Sequence, residues 1–209
     1  MGVMIARRAV YRVRQFVAAV AAHRGRLSSH EQAEIERWLP QAAWSLFERM
    51  PRNDQRHSLN VLRALRDAGW SQPPLMQAAL LHDVAKSVAG VMLWHRVAVV
   101  LINAARPGWS VRMAERPAPA RSGLRYPFWA SVNHPRLGAE MAAAAGCDPL
   151  AVTLIRRHQE PGGGAGERRS GGAKEQSIAA MTLESAGDVP EAIRVDHLLM
   201  ALRAADDDN

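Results

Sequence analysis

Cysteine is nearly missing from this chain, with Cys147 alone among 209 residues. A single thiol excludes an intramolecular disulfide framework and a thiolate zinc site, and it fits a reducing compartment such as the cytoplasm. Aromatic residues are scarce at 5%, and β-branched runs are few, so little favours strands. Long apolar runs are absent too. The best, Val97 to Ile102, falls far short of the ~20 residues that cross a bilayer, so no transmembrane segment is expected. An export signal is only faint, because Arg12 and Arg14 interrupt the apolar residues that follow Arg7-Arg8. The expectation is a soluble, cytoplasmic protein.

Acid is missing from the first 26 residues, which carry Arg7, Arg8, Arg12, Arg14, Arg24 and Arg26. Most of the formal charge of +7 therefore sits in one arm, and the remainder is close to neutral. Such an arm reads as a solvated helix face, or as a weak contact for acidic lipid or nucleic acid.

What is present is alanine, leucine and arginine at helical spacing, with 48% hydrophobic residues, enough to bury one core. The fold expected is all-α: a helical bundle over 53–209 with an N-terminal helical extension, 1–52, packed on it. The first helix spans about Val3 to His23. Ser28 with Glu31 forms a capping box, and Pro40 suits a first helical turn. Further helices run from Asn53 to Ala68 before Gly69, from Pro73-Pro74 to about His82-Asp83, and from Met92 to Ala105 before Pro107-Gly108. Residues 106–128 read as a loop with a short helical turn. Asn133 reads as the N-cap of a helix carrying Pro135, and Asp148-Pro149 opens one that reaches His158. Pro161 to Gln176 holds six glycines and reads as a flexible insertion. The last helix follows Asp188-Val189-Pro190.

Against this background a set of widely spaced residues stands out: His57, His82-Asp83, His134, His158 and Asp206. Helical position separates them from ordinary polar residues. Val195, Leu199 and Leu202 form a stripe whose next member is Asp206, while Asp207 and Asp208 fall off it. A carboxylate on a buried face is costly unless paired or metal-bound; the plainer alternative is a frayed, solvated terminus. His57 shares a face with Val61, Ala64 and Leu65, His82 follows Leu75, Ala78 and Ala79, and His158 continues Ala151, Leu154 and Ile155. Each alone reads as a hydrogen-bonded core or boundary histidine. Together they provide imidazole and carboxylate for one or two divalent ions, of which Zn, Mn, Fe or Mg all suit the oxygen and nitrogen donors. An antiparallel pairing of the helices would bring His57, at the start of one, to His82-Asp83, at the end of the next. His134 and His158 repeat that relation.

Lys86 lies on the same face as His82 and Asp83, where its ammonium could neutralise a substrate phosphate; a surface lysine is the alternative. His23 and His30 sit in polar turns, and His197 points away from Asp206. The role of His95 stays open between a structural contact and a substrate wall.

Three stretches carry a resemblance: His57-Ser58-Leu59-Asn60-Val61, Ala78-Ala79-Leu80-Leu81-His82-Asp83-Val84-Ala85-Lys86, and Leu202-Arg203-Ala204-Ala205-Asp206. In this order they resemble the three diagnostic blocks of the HD-domain phosphohydrolase superfamily, over about 53–206. The resemblance implies a metal held by His57, His82, Asp83 and Asp206. It also implies a second ion held by Asp83, His134 and His158, as in the two-metal branch, with Asp83 as bridge. After His158 comes Gln159-Glu160-Pro161-Gly162, without a second histidine or a Gly-Tyr-Pro tripeptide. That departs from the best-known cyclic-di-GMP-specific group and leaves the substrate open. The activity implied is metal-dependent hydrolysis of a phosphate ester or anhydride, of a nucleotide for preference, with Asp83 and Lys86 as catalytic residues. The alternative is a regulatory module that holds metal and nucleotide without turnover, and a third reading is adhesion through residues 1–26.

Overall fold

The structure is a computed structural model that describes residues 26–88, 91, 93–121, 123–160 and 191–209. The expected helix over Val3–His23, the basic arm up to Gly25 and the glycine-rich stretch from Pro161 to Gln176 lie outside the described residues. Among the described residues every regular element is a helix, as an all-α fold requires.

Helix α1 (Ser29–Glu36) opens on the expected capping box: Ser28 Oγ accepts from the Glu31 amide and the Glu31 carboxylate accepts from the Ser28 amide. Helix α2 is Gln41–Glu48, with Pro40 as its N-cap rather than its first residue. Helix α3 (Arg52–Asp67) stops at Gly69, whose φ of 91° is a left-handed conformation that suits glycine. Helix α4 (Pro73–Leu81) has proline in its first turn, where the missing N–H costs nothing. It breaks at His82-Asp83 before the short α5 (Val84–Val88). Helices α6 (Leu93–Ala105) and α7 (Trp109–Ala114) follow, then α8 (Tyr126–Ala144), α9 (Pro149–Arg157) and α10 (Glu191–Asp208). Asp148 caps α9 by accepting from the Leu150 amide at 2.7 Å.

One expected boundary is wrong. Helix α8 starts at Tyr126, inside the stretch read as a loop, and Asn133 lies within the helix instead of capping it. The Asn133 side chain donates to Trp129 O, one turn back, at 3.0 Å. Trp129 and Ala130 are buried, and their packing carries the helix through a segment whose prolines and arginines read as irregular.

A single buried cluster joins α1 to α5, α8, α9 and α10, with Ile35, Phe47, Leu59, Leu62, Leu75, Leu81, Ile155 and Leu198 fully enclosed. Each such side chain contributes about 1.5–3 kcal/mol by leaving water. Alanines at the contacts (Ala78, Ala79, Ala139, Ala142) are also enclosed and let the helix axes approach. Helix α4 is the hub: it packs on α3, α9 and α10, while α5 packs on α8. The end of α4 is therefore surrounded by the start of α3, the middle of α8, and the ends of α9 and α10. A smaller cluster of Val91, Trp129 and Ala130, with Met113, Tyr126 and Leu137 against it, unites α6, α7 and α8. Among the described residues no helix is long and apolar enough to cross a membrane.

Candidate metal centre

The break between α4 and α5 puts His82 and Asp83 at the bottom of the bundle core, where both are buried. His57, from the first turns of α3, comes edge-on to His82 with ring centroids 5.3 Å apart. Asp206, from α10, takes the next place: its Oδ1 lies 2.9 Å from His57 Nε2 and 3.4 Å from His82 Nε2. Asp207 and Asp208 are exposed, as the helical stripe requires. On the other side of Asp83, its Oδ1 is 3.3 Å from His134 Nε2 and 3.9 Å from His158 Nε2. Those two Nε2 atoms face each other at 3.2 Å.

All six sequence-derived residues thus converge; five of them fall into two groups that share Asp83 (His57, His82 and Asp83, then Asp83, His134 and His158), and Asp206 adjoins the first through His57 and His82. One expectation about how they meet is corrected. His134 is not at the start of its helix but in the middle of α8, and it reaches the site because α8 runs across the end of α4. His95 is buried with its ring edge-on to Phe128 at 5.1 Å, and neither ligand group includes it. His30 and His197 are exposed.

The three buried rings are aimed by one device. His82 Nδ1 donates to Ala79 O at 3.0 Å, His134 Nδ1 to Ser131 O at 2.7 Å, and His158 Nδ1 to Ile155 O at 2.7 Å. A carbonyl only accepts, so each Nδ1 carries a proton; where the ring is neutral, Nε2 is left as a bare lone pair. Carbonyls are free for this at helix ends, where the last turn has no amide to accept from. That accounts for His82 and His158, the C-caps of α4 and α9. For His134 the device is Pro135: within α8 the amide of residue 135 would bond Ser131 O, and proline has none. Arg203 fixes the other end of the arrangement, with Nε donating to His158 O at 2.9 Å and Nη2 to Arg157 O at 2.6 Å. Sequence reading missed Pro135 and Arg203 as positioning residues, although each stood beside a suspected ligand.

His82 Nε2 and Asp83 Oδ1 are buried without a partner in hydrogen-bonding geometry. Burial works against a charged His82, but Asp83 and then Asp206 outweigh it and hold its pKa up at about 9. For Asp83 burial is outweighed by Lys86 and His82, and its carboxyl is held well below the usual range. Asp206 is lowered as well, its burial outweighed by the hydrogen bond from His57 and by the charge of His82 beside it. His134 goes the other way: burial and then Lys86 press it down to about 4. Burial, His82 and His134 press His158 down to about 3. Both rings are neutral at pH 7, the form that ligates a metal.

Spacing provides the test of fit. Donor atoms ~2.1 Å from a shared ion stand roughly 3.0–3.4 Å from one another in octahedral or tetrahedral order. The pairs at 2.9, 3.2, 3.3 and 3.4 Å match this, and those of His158 with Asp83 and of His82 with Asp83, at 3.9 and 3.8 Å, are slightly open. Nitrogen and carboxylate donors without sulfur fit Zn, Mn, Fe or Mg. Lys86 Nζ lies 2.6 Å and 2.7 Å from the two oxygens of Asp83, so its ammonium stands at the edge of the site.

Comparison of the chain with protein-family models, with curated proteins and with solved structures returned no match.

Proposed function

We propose that the chain is a metal-dependent phosphohydrolase of the HD-domain kind, acting in the cytoplasm on a phosphate ester or anhydride, with nucleotides as the preferred class. The observation that carries this reading is the meeting of three imidazole Nε2 atoms at one buried carboxylate oxygen, Asp83 Oδ1. Beside it the Nε2 atoms of the neutral His134 and His158 face each other at 3.2 Å, an arrangement that a cation shared with Asp83 would relieve. His57, His82, Asp83 and Asp206 would hold one divalent ion, and Asp83, His134 and His158 a second. Such an ion supplies Lewis acidity and brings the pKa of water toward neutrality.

The remaining roles belong to the chain itself. His57 and Asp206 are half-buried, so access runs past the α3 and α10 side. Asp83 and Asp206 bring two negative charges and Lys86 one positive, so a single dication already turns the ligand set and its lysine net positive. That balance favours an anionic phosphoryl group over a neutral ester. Lys86, beside Asp83, is placed to balance charge on the phosphoryl oxygens. The absence of thiolate from the site and the single buried Cys147 suit a reducing compartment.

The test is turnover of metal-loaded protein on a panel of nucleoside monophosphates, nucleoside triphosphates and cyclic dinucleotides, with His82→Ala and Asp83→Ala as controls. At least one substrate should be cleaved by the wild type at a rate that both variants lose. Equal low rates in all three proteins remove the enzymatic reading.

A further inference from the structure

We infer that the chain has a second ligand site, for an aromatic phosphate of nucleotide type, on the side of α8 away from His134. Phe128 and Trp129 of α8 and its N-cap Arg125 line an open cavity of about 390 Å³ with Trp109 and Met113 of α7 and with Arg116 just beyond it. At about 100° per residue, positions 125, 128 and 129 centre roughly opposite His134 around the helix. The cavity shares no side chain with the His/Asp cluster, so this inference does not depend on the metal reading.

Its volume falls in the range of small-molecule sites, roughly 300–1,000 Å³. A second hollow of about 240 Å³ adjoins it through Trp109, Met113 and Arg116 and adds Arg106 and Arg112. The floor is aromatic and held in place. Trp129 is buried, and its Nε1 donates to Arg116 O at 2.9 Å. Tyr126 stacks on the Trp129 ring at 6.0 Å, and the Arg136 guanidinium lies 5.7 Å from its centre. Ser110 Oγ donates to Asn103 Oδ1 at 3.1 Å, which ties α7 to α6. These contacts fix the walls before any ligand arrives, so little ordering cost remains for binding.

Charge identifies the class of ligand. From Arg106 to Arg125 the chain has five arginines and one acid, Glu115. Among the described residues the ion pairs of arginine fall on Arg56, Arg63, Arg66, Arg136 and Arg157, and on none of these five. Four of the five (Arg106, Arg112, Arg116 and Arg125) border the two hollows as an uncompensated guanidinium rim above a tryptophan and phenylalanine floor. A flat ring stacks on such a floor, and guanidinium forks grip phosphate in two-pronged hydrogen bonds. An anionic lipid surface would meet the same arginines, but it would have no use for an aromatic-lined hollow between them.

The test uses the full chain with its metals removed by chelator, titrated with GMP and AMP by calorimetry. GMP carrying an N-methylanthraniloyl group, read by energy transfer from tryptophan, is the second probe. Saturable binding is expected without metal, weakened roughly tenfold or more in Arg116→Ala/Arg125→Ala and in Trp109→Ala. Both arginines are exposed, so the double variant should keep wild-type helicity by circular dichroism. The inference is overturned if neither nucleotide binds, if binding needs added Mn(II), or if the double arginine variant binds as tightly as the wild type. It is also overturned if phosphatidylglycerol vesicles, and not nucleotides, are what those arginines retain.

Discussion

Helix α3 feeds two polar clusters built on opposite rules. On one face Arg56, Arg63 and Arg66 meet Glu31 and Glu34 of α1: Arg56 pairs with Glu31, Arg63 lies 2.9 Å from Glu34 and 3.3 Å from Glu31, and Arg66 lies 2.7 Å from Glu34. Donors meet acceptors there, and the outcome is a latch between two helices. One residue from Arg56, His57 enters the other cluster, where imidazoles and carboxylates collect and the Nε2 atoms of His134 and His158 face each other instead of a donor. A latch is complete as it stands. A centre whose neutral imidazoles turn toward one another is completed only when something else enters it, and that difference separates function from stability within one helix.

The largest effect should come from the shared ligand. Asp83→Asn removes the charge common to both groups, so isothermal titration with Mn(II) or Zn(II) should show tight binding in the wild type and none in the variant. Metal should raise the wild-type unfolding temperature by mass action and leave that of Asp83→Asn unchanged. An equal rise in both proteins would place the metal elsewhere.

Next comes the residue that holds the end of α9. Arg203→Met keeps an apolar stem but frees the carbonyls of Arg157 and His158, loosening the His158 ring. Metal affinity should fall by about 10–100-fold, as is typical when outer partners of ligands are lost, with far-UV circular dichroism unchanged. Unaltered affinity would make Arg203 a cap and nothing more.

The latch should behave in the reverse way. Glu31→Gln should cost about 1 kcal/mol in urea unfolding and leave metal affinity as it was. Its pH dependence follows from the carboxyl: against burial, hydrogen bonds from Arg56 and Ser28 lower Glu31 to about 2 from 4.5. A depressed folded pKa gives stability that is fully present above 4.5 and lost as pH falls toward 2. The stability difference between wild type and Glu31→Gln should shrink across that window and be constant above it.

The smallest effect tests the close passage of α8 over the centre. A Cβ on Gly138 would lie 3.4 Å from Ile155 Cγ2 and 3.7 Å from His82 O, ordinary contacts for the most part. Gly138→Ala should therefore stabilise the helix by up to about 1 kcal/mol in urea unfolding. A loss of stability would mean that the helices cannot yield even a few tenths of an ångström.

Much of the cluster could be read from the chain because its members obey two local periodicities. Asp206 continues the Val195, Leu199, Leu202 stripe, and His158 continues Ala151, Leu154 and Ile155, so helical spacing alone aimed them inward. The start of α8 was illegible for a physical reason: Pro117, Pro119 and Gly123 mark the segment before it as loop, and Pro127, which suits a first helical turn, reads as their continuation instead of as the start of a helix whose Trp129 and Ala130 are buried. The orienting roles of Pro135 and Arg203 were hidden because each acts through a backbone carbonyl, Ser131 O in one case and those of Arg157 and His158 in the other. Sequence patterns of side chains do not register such partners. The arginine-rimmed hollow was equally unreadable, since its walls come from α7 and α8 and meet only after folding.

The most direct measurement is the metal content of protein purified without chelator and reconstituted in turn with Mn(II), Fe(II), Zn(II) and Mg(II), beside Asp83→Asn. About one or two equivalents of at least one metal should stay with the wild type after desalting, and far less with the variant. Wild-type protein that retains none of the four, at every concentration tried, would contradict the proposal that these histidines and aspartates form a metal centre.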